Sequence, residues 1–146
     1  MQLLTKGRVT QMMLIAVAFV FGVWLAREFP GQAQTPARVF EIRTYTANEG
    51  KLDALQARFR NHTCKLFEKH GITNVGYWVP QDPPLSQNTL IYIVAHKSRD
   101  AAAKSWEAFR SDPEWIKARD ASEVNGKLVA KVESVYLGPT DFSPIK

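Results

Sequence analysis

The chain has 146 residues, a formal charge of +5 at pH 7 and an ordinary apolar content of 45%. This length allows one domain with a hydrophobic core, and the composition excludes a chain that is disordered over most of its length. The single cysteine, Cys64, excludes an intrachain disulfide. Lysine and arginine form no cluster with interleaved aromatic residues beyond residue 33, which argues against nucleic acid as a partner.

Residues 1–33 have the order of a secretory signal peptide. Two basic residues, Lys6 and Arg8, precede an uncharged apolar run over 12–26, and small residues follow up to Ala33. The run is shorter than the roughly 20 residues that cross a bilayer, so we favour a signal cleaved after Ala33. An uncleaved membrane anchor is the rival interpretation, and a buried helix of the domain is the least favoured. Either export interpretation places the domain in the periplasm or outside the cell, with membrane contact only through this segment.

Removing residues 1–33 takes away three basic side chains and one acidic side chain, which lowers the formal charge from +5 to +3. Residues 34–37 are a short linker. Alternation then predicts a β-strand over 38–46 with two different faces. We expect the face with Phe40, Ile42 and Thr44 to be the core face. We expect the other face to lie away from the helices; it carries Val39, Glu41, Arg43 and Tyr45.

The remaining pattern predicts helices and strands in a regular order. They are a helix over 48–71, strands over 72–80 and 89–96, helical segments over 97–110 and 111–124, and a strand over 128–138. Asn48 is expected to cap the first helix, and Asp112 with Pro113 to begin the last helical segment. The strand over 89–96 is apolar on both faces, which predicts a central position.

The order β-α-β-β-α-β predicts a ferredoxin-like α+β domain over residues 38–146, with a four-stranded antiparallel sheet and helices on one face. The other face is then bare unless a second sheet packs on it. A bare face of this kind marks an interface, so we expect a homodimer in which two sheets face each other as a dimeric α+β barrel.

Glu41 and Arg43 are the first candidate site residues, because they lie two positions apart on one strand face. Interior charges persist when they are paired, so the favoured interpretation is a salt bridge within the strand or across the dimer. The functional alternative is that Arg43 binds an anionic ligand and Glu41 orients it.

His62 is the second candidate, because it falls at helical spacing with Leu55, Phe59 and Leu66 and is therefore expected to point toward the sheet. A core histidine bonded to a backbone carbonyl or to Tyr92 is favoured. The alternative is a base or ligand in a pocket between helix and sheet. His70 is expected to cap a helix end, and His96 is expected at the surface or the rim of the barrel; Cys64 is expected to be structural.

Aromatic residues are the third group of candidates. We expect them to be core, although they could also line a cavity for a flat hydrophobic ligand. They are Tyr45, Tyr77, Trp78, Tyr92 and Trp106. The CxxC, HExxH, Walker and GxSxG signatures are absent, so neither a metal site nor a cofactor is expected.

Five segments together resemble the NIPSNAP family over about residues 39–144: FEIRTYT, GKL, HGI with GYW, SDPEW and VESVYLGPTDFSP. The resemblance implies the ferredoxin-like fold and the dimeric α+β barrel superfamily, and it implies no settled reaction or catalytic residue set. We therefore expect a homodimer that binds a small hydrophobic or anionic molecule or a partner protein. Whether it is also an enzyme stays open, with no catalysis the favoured answer.

The alternative comes by analogy with the wider barrel superfamily. It is a cofactor-independent oxygenase or isomerase, or a haem-handling enzyme, in which His62 is the base or axial ligand. Arg43 and Tyr92 would then hold the substrate, and Trp78 would form a wall of the pocket. A third interpretation is an interaction module that uses residues 139–146 as an arm on a neighbour.

Overall fold

The computed structural model describes residues 38–146, so the predicted signal or anchor (1–33) and the linker (34–37) lie outside the described residues. The strands are β1 (Val39–Ala47), β2 (Thr73–Trp78), β3 (Thr89–His96) and β4 (Val129–Leu137). The helices are α1 (Leu52–Arg58), a π-helical turn (Phe59–Thr63), α2 (Cys64–Lys69), a 3₁₀ turn (Leu85–Gln87), α3 (Arg99–Ser111) and α4 (Pro113–Ser122). Within this part of the chain, no helix combines the length and apolar character that crossing a bilayer requires.

The four strands form one antiparallel sheet in the order β2-β3-β1-β4. The helices pack on one side of this sheet, and β1 and β3 are its two inner strands. The predicted ferredoxin-like α+β fold is therefore confirmed, including the central position of the strand over 89–96.

The two faces of the sheet are the reverse of the expectation from sequence. Glu41 and Tyr45 lie on the helix side, because Glu41 accepts a hydrogen bond from Trp106 of α3 and the Tyr45 ring meets Phe59 of the π-helical turn. Phe40 and its alternate neighbours lie on the open side. Alternation sorts residues onto two faces but does not say which face the helices cover. Here the face with the charges is the buried one, because the charges are paired there.

Aromatic rings fill the space between the helices and the sheet. Phe67 of α2 has its ring centroid 5.2 Å from that of Trp106 and 4.9 Å from that of Phe109, and Tyr92 of β3 lies 5.1 Å from Phe59. Edge-to-face packing at these distances stabilises a core beyond simple burial of apolar area. The predicted aromatic core is confirmed for Tyr92 and Trp106, whereas Trp78 lies on the other face.

The π-helical turn explains why His62 is not where the spacing predicted. A π-turn contains one more residue than an α-turn, so the residues after it are rotated around the helix axis. Phe59 and Thr63 are buried, and His62 is exposed on the outer surface. The prediction that His62 points toward the sheet is therefore wrong, because it assumed an unbroken α-helix.

One of the two predicted helix starts is found. Asp112 accepts a hydrogen bond from the backbone N–H of Glu114 at 2.7 Å, and Pro113 occupies the first position of α4. Gly71 follows α2 with a φ of +73°, the left-handed conformation that glycine adopts without strain. Asn48 does not cap the first helix, because α1 begins only at Leu52 and the Asn48 side chain donates instead to the Lys127 carbonyl.

The open face of the sheet carries mostly apolar side chains. Strand pairing places on it Phe40, Ile42, Thr44, Gly76, Trp78, Ile91, Ile93, Ala95, Val135 and Leu137, and Glu133 and Lys131 lie on the same face toward one end. The Trp78 ring lies over Gly76, so that a Cβ added at Gly76 would come within 2.5 Å of it. At one end, the chain after β4 turns across the face, and Thr140 and Ile145 help to line an open pocket of about 320 Å³.

Candidate functional site

Glu41 is the centre of the polar cluster on the helix side of the sheet. It lies on the inner strand β1 and is 1% exposed. Its Oε1 accepts hydrogen bonds from Arg43 Nη1 (2.6 Å) and Ser134 Oγ (2.5 Å). Its Oε2 accepts from Trp106 Nε1 (2.7 Å) and His96 Nε2 (3.2 Å). Four donors from β1, β3, β4 and α3 thus converge on one carboxylate.

Those hydrogen bonds determine the charge of Glu41. Burial alone would raise the pKa of this carboxyl group, because it disfavours the charged form. The hydrogen bonds from His96, Ser134 and Trp106 and the charge of Arg43 outweigh burial, and together they lower the pKa of Glu41 to about 2. Glu41 is therefore a carboxylate at neutral pH, and its hydrogen-bonding capacity is used within the domain.

The salt bridge between Glu41 and Arg43 was predicted from the strand pattern, and the structure confirms it. The guanidinium of Arg43 also lies against the Trp106 ring, with Cζ 4.4 Å from the ring centroid. Its side chain is 18% exposed, but Nε is buried and has no hydrogen-bond partner within residues 38–146. Arg43 pairs directly with Tyr92 of β3, whose buried hydroxyl also has no partner in the same range.

His96 was expected at the surface or the rim of the barrel, and this expectation is wrong. His96 is 2% exposed, because α3 begins three residues later and folds back over it. Its ring lies 5.9 Å from Trp106 and 6.3 Å from Tyr136 between centroids. Since Glu41 is ionised, Nε2 donates a proton to it. Nδ1 is buried and has no partner within residues 38–146.

The structure brings together only part of the set that sequence suggested. Four of the candidates lie on the helix side: Glu41, Arg43, Tyr45 and Tyr92. The ring centroids of Tyr45 and Tyr92 are 5.3 Å apart. Trp78 lies on the opposite face of the sheet and is 51% exposed.

Sequence analysis did not assign His96, Trp106 and Ser134 to this cluster. Trp106 was recognised only as a core aromatic, and nothing in the pattern of β4 distinguished Ser134. The convergence depends on which strands are neighbours, which periodicity does not report.

A second polar cluster joins the end of α2 to the start of α4. His70 Nε2 lies 2.6 Å from Asp112 Oδ2, and Lys69 Nζ lies 2.9 Å from the same oxygen. These two partners lower the pKa of Asp112 well below its usual value. His70 is the C-cap residue of α2, as expected, and its ring in addition ties two helices together. Asp112 also caps α4, so we interpret this cluster as structural.

The described residues 38–146 contain no group of three or more His, Cys, Asp or Glu side chains arranged to hold a metal ion. Cys64 is half-buried and unpaired in the same part of the chain. The candidate site is therefore a cluster of hydrogen-bond donors and one carboxylate.

Comparison with known proteins identifies the family. The NIPSNAP family model matches residues 40–144, nearly all of the described domain. The chain belongs to the NIPSNAP family. No curated protein matches the chain.

Solved NIPSNAP structures share the fold of this chain. A NIPSNAP family protein of unknown function from Agrobacterium tumefaciens is 24% identical with a TM-score of 0.66, and the match covers 76% of this chain and 96% of that chain. A second NIPSNAP family protein from the same organism is 26% identical with a TM-score of 0.65, covering 75% and 99%.

The fold also matches a cofactor-independent oxygenase from Streptomyces nogalater. That protein is 13% identical with a TM-score of 0.51, and the match covers 74% of this chain and 98% of that chain. At this identity the likeness concerns the fold alone. The NIPSNAP domain therefore has the ferredoxin-like fold that the sequence predicted.

Proposed function

We propose that this NIPSNAP domain is exported and works as a homodimer that binds a small ligand or a partner without transforming it. The observation that supports the dimer is the apolar open face of the sheet. Trp78 is 51%, Val135 is 56% and Leu137 is 39% exposed on this face. Contiguous apolar surface of this kind is usually covered by a partner.

A second copy of the chain is the partner that fits best. Two copies related by a two-fold axis present the same patch to each other, and homodimer interfaces are more apolar than the rest of a protein surface. Two facing sheets pack about 10 Å apart, which buries side chains such as Ile42 and Ile93 from both copies. Export rests on the basic and apolar order of residues 1–33 in the sequence alone.

The ligand that we propose is small and anionic, and it meets Arg43. Arg43 and Tyr92 are paired residues of β1 and β3, and the buried Nε of Arg43 and the buried hydroxyl of Tyr92 both have no partner in residues 38–146. An acceptor oxygen of a ligand would satisfy both donors. Glu41 would not touch the ligand, because its oxygens are occupied; it holds Arg43 in place. The rings of Tyr45 and Trp106 would contact the apolar part of the ligand.

Native mass spectrometry of the full chain, purified from its own host, tests this proposal, because it reports subunit count and retained molecules together. We expect a dimer that carries a small molecule. Val135→Glu, which puts a charge in the apolar face, is expected to give a monomer. The matched control is Val124→Glu, since Val124 is 78% exposed and lies outside the sheet. A monomeric wild-type chain, or equal dimer loss in both variants, would contradict the homodimer.

A cofactor-independent oxygenase or isomerase is the second candidate, and the pair of Glu41 and His96 favours it. A carboxylate that fixes the tautomer of a histidine leaves Nδ1 as a base. This assigns to His96 the role that the sequence suggested for His62, which lies on the outer surface. The test is chemical change of the retained molecule in air with wild-type protein and with His96→Asn. Identical products with both proteins would remove this candidate.

A further inference from the structure

A cleft lies on the outer surface of the helices, between the first helix and α4. Its volume is about 300 Å³. Its lining combines alanine methyl groups with polar side chains: Ala54, Ala57, Arg58, Asn61, His62, Ala118, Ala121 and Ser122. The small side chains create the space, and Arg58, Asn61 and His62 lie at the position where α1 passes into the π-helical turn.

Arg58 is the buried polar residue of this cleft, with an exposure of 5%. Its Nη1 donates to Glu123 Oε1 at 2.8 Å and to Ser122 Oγ at 3.2 Å. Its Cζ lies 5.2 Å from the centroid of the Trp115 ring, which holds the guanidinium plane. Nε is buried and has no partner within residues 38–146, and every hydrogen bond of the group in that range is made by Nη1.

The edge of Arg58 that makes no hydrogen bond within residues 38–146 is suited to bind a carboxylate. Nε and Nη2 present two parallel N–H groups, and this geometry matches the two oxygens of a carboxylate. A buried donor that stays without an acceptor destabilises the folded domain. An acceptor supplied from outside would therefore stabilise the domain as well as bind to it.

The π-helical turn brings two further donors to the same place. Asn61 and His62 lie in this turn and line the cleft next to Arg58. In a regular α-helix, the spacing would have pointed His62 toward the sheet instead. π-turns are uncommon and are frequent at functional sites, which agrees with a role for the residues that this turn exposes.

We propose that this cleft binds a small carboxylic acid with a short apolar chain. The carboxylate pairs with the Nε–Nη2 edge of Arg58, the side chains of Asn61 and His62 contact its outer side, and the chain lies against the alanine methyl groups. Glu123 already offsets the charge of Arg58, so the binding is weak and depends on the donor geometry more than on net charge. The site is separate from Arg43 and does not require the dimer.

Titration of the ¹⁵N-labelled full chain with butyrate tests the proposal, with the Nε–H resonance of Arg58 as the reporter. We expect a saturable shift of this resonance. Arg58→Lys, which keeps the charge but loses the edge, is expected to abolish binding. His62→Ala is expected to weaken it several-fold, and Glu123→Gln to strengthen it several-fold by removing the competing charge. Arg58 is buried, so Arg58→Lys could prevent folding. In that case His62→Ala, at an exposed residue, tests the site through its weaker butyrate binding.

Arg60→Ala is the matched control, because Arg60 lies in the same turn and is exposed but lines a different pocket. We expect it to leave butyrate binding unchanged. A loss of binding in Arg60→Ala equal to that in His62→Ala would show diffuse charge attraction and overturn the site. Shifts with inorganic phosphate but none with butyrate would overturn the carboxylate assignment. A non-saturable shift would overturn the proposal as a whole.

Discussion

Arg43 and Arg58 have the same local arrangement in two different parts of the domain. Each guanidinium donates through Nη1 to a glutamate, lies against a tryptophan ring and has a buried Nε without a partner in residues 38–146. Their glutamates differ. Glu41 is 1% exposed and accepts four hydrogen bonds, whereas Glu123 is 23% exposed and accepts from Arg58 and, at 3.4 Å, from a backbone N–H.

The difference shows how the surroundings of an ion pair decide its role. Around Arg43, strands and a helix converge on a buried carboxylate, so the pair belongs to the core and holds β1, β3, β4 and α3 in register. Around Arg58, the carboxylate reaches solvent and a cleft lies beside the guanidinium. The first pair should therefore contribute more to the stability of the domain than the second.

Neutralising the two glutamates should give the largest difference in stability between the two sites. Glu41→Gln removes the charge that pairs with Arg43 and turns an amide N–H₂ toward donors, so we expect a loss of about 3–5 kcal/mol in the free energy of unfolding. Glu123→Gln keeps an acceptor at a partly exposed position, and we expect a loss of about 1–2 kcal/mol. Urea unfolding of the two variants measures both. Equal losses would contradict the distinction between the sites.

Low pH should destabilise the folded domain by protonating Glu41, the partner of Arg43. The pKa of Glu41 is lowered in the folded domain to about 2 from an ordinary value of 4.5. A lowered folded pKa means that this stabilisation is complete above about pH 4.5 and is lost as the pH falls toward 2. The total is up to about 3 kcal/mol.

Unfolding free energy measured from pH 6 to pH 2 checks this expectation. Asp112 also has a lowered pKa, so part of the slope should remain in Glu41→Gln and disappear in Asp112→Asn. A Glu41→Gln variant with the full wild-type slope would show that Glu41 is not the titrating group.

Trp106 and Trp115, the rings next to Arg43 and Arg58, should also contribute unequally to stability. Trp106→Phe removes the N–H that Glu41 accepts, and we expect a cost of about 2 kcal/mol. Trp115 makes no such bond within residues 38–146, so Trp115→Phe should cost about 1 kcal/mol, from packing alone. Thermal unfolding of both variants gives the two values. A larger effect for Trp115 would mean that Arg58, and not Arg43, belongs to the more tightly packed site.

The smallest effect is expected at His62. Because its side chain is exposed, His62→Ala should change the free energy of unfolding by no more than about 0.5 kcal/mol. His96→Ala, at the buried histidine that bonds Glu41, is the contrasting variant and should cost several times as much. Chemical denaturation of the pair decides the point: a large loss for His62→Ala would place that residue in the core after all.

The sequence predicted the order of elements and the fold, because alternation and helical spacing are local patterns. It also predicted the pairing of Glu41 with Arg43, since two opposite charges on one strand face lie close together wherever the strand is placed. Its prediction of the face that the helices cover was wrong, because both faces of β1 and β3 carry enough apolar side chains.

The locations of two histidines depended on features beyond local spacing. The extra residue of the π-helical turn moved His62 outward, and the return of α3 over the end of β3 buried His96. Convergence of Ser134 and Trp106 on Glu41 depends on contacts between distant segments, which a single sequence read by periodicity does not contain.

Gly76 has a further consequence for the open face. The indole of Trp78 occupies the place that a side chain at position 76 would need, with Cη2 2.5 Å from an ideal Cβ. The large ring can thus lie along the strand, and the thickness of the face depends on one missing methyl group. An alanine at this position would lift the ring away from the backbone and hold any surface docked there at a greater distance. The smallest residue of the sheet thereby sets the closest approach of whatever covers it.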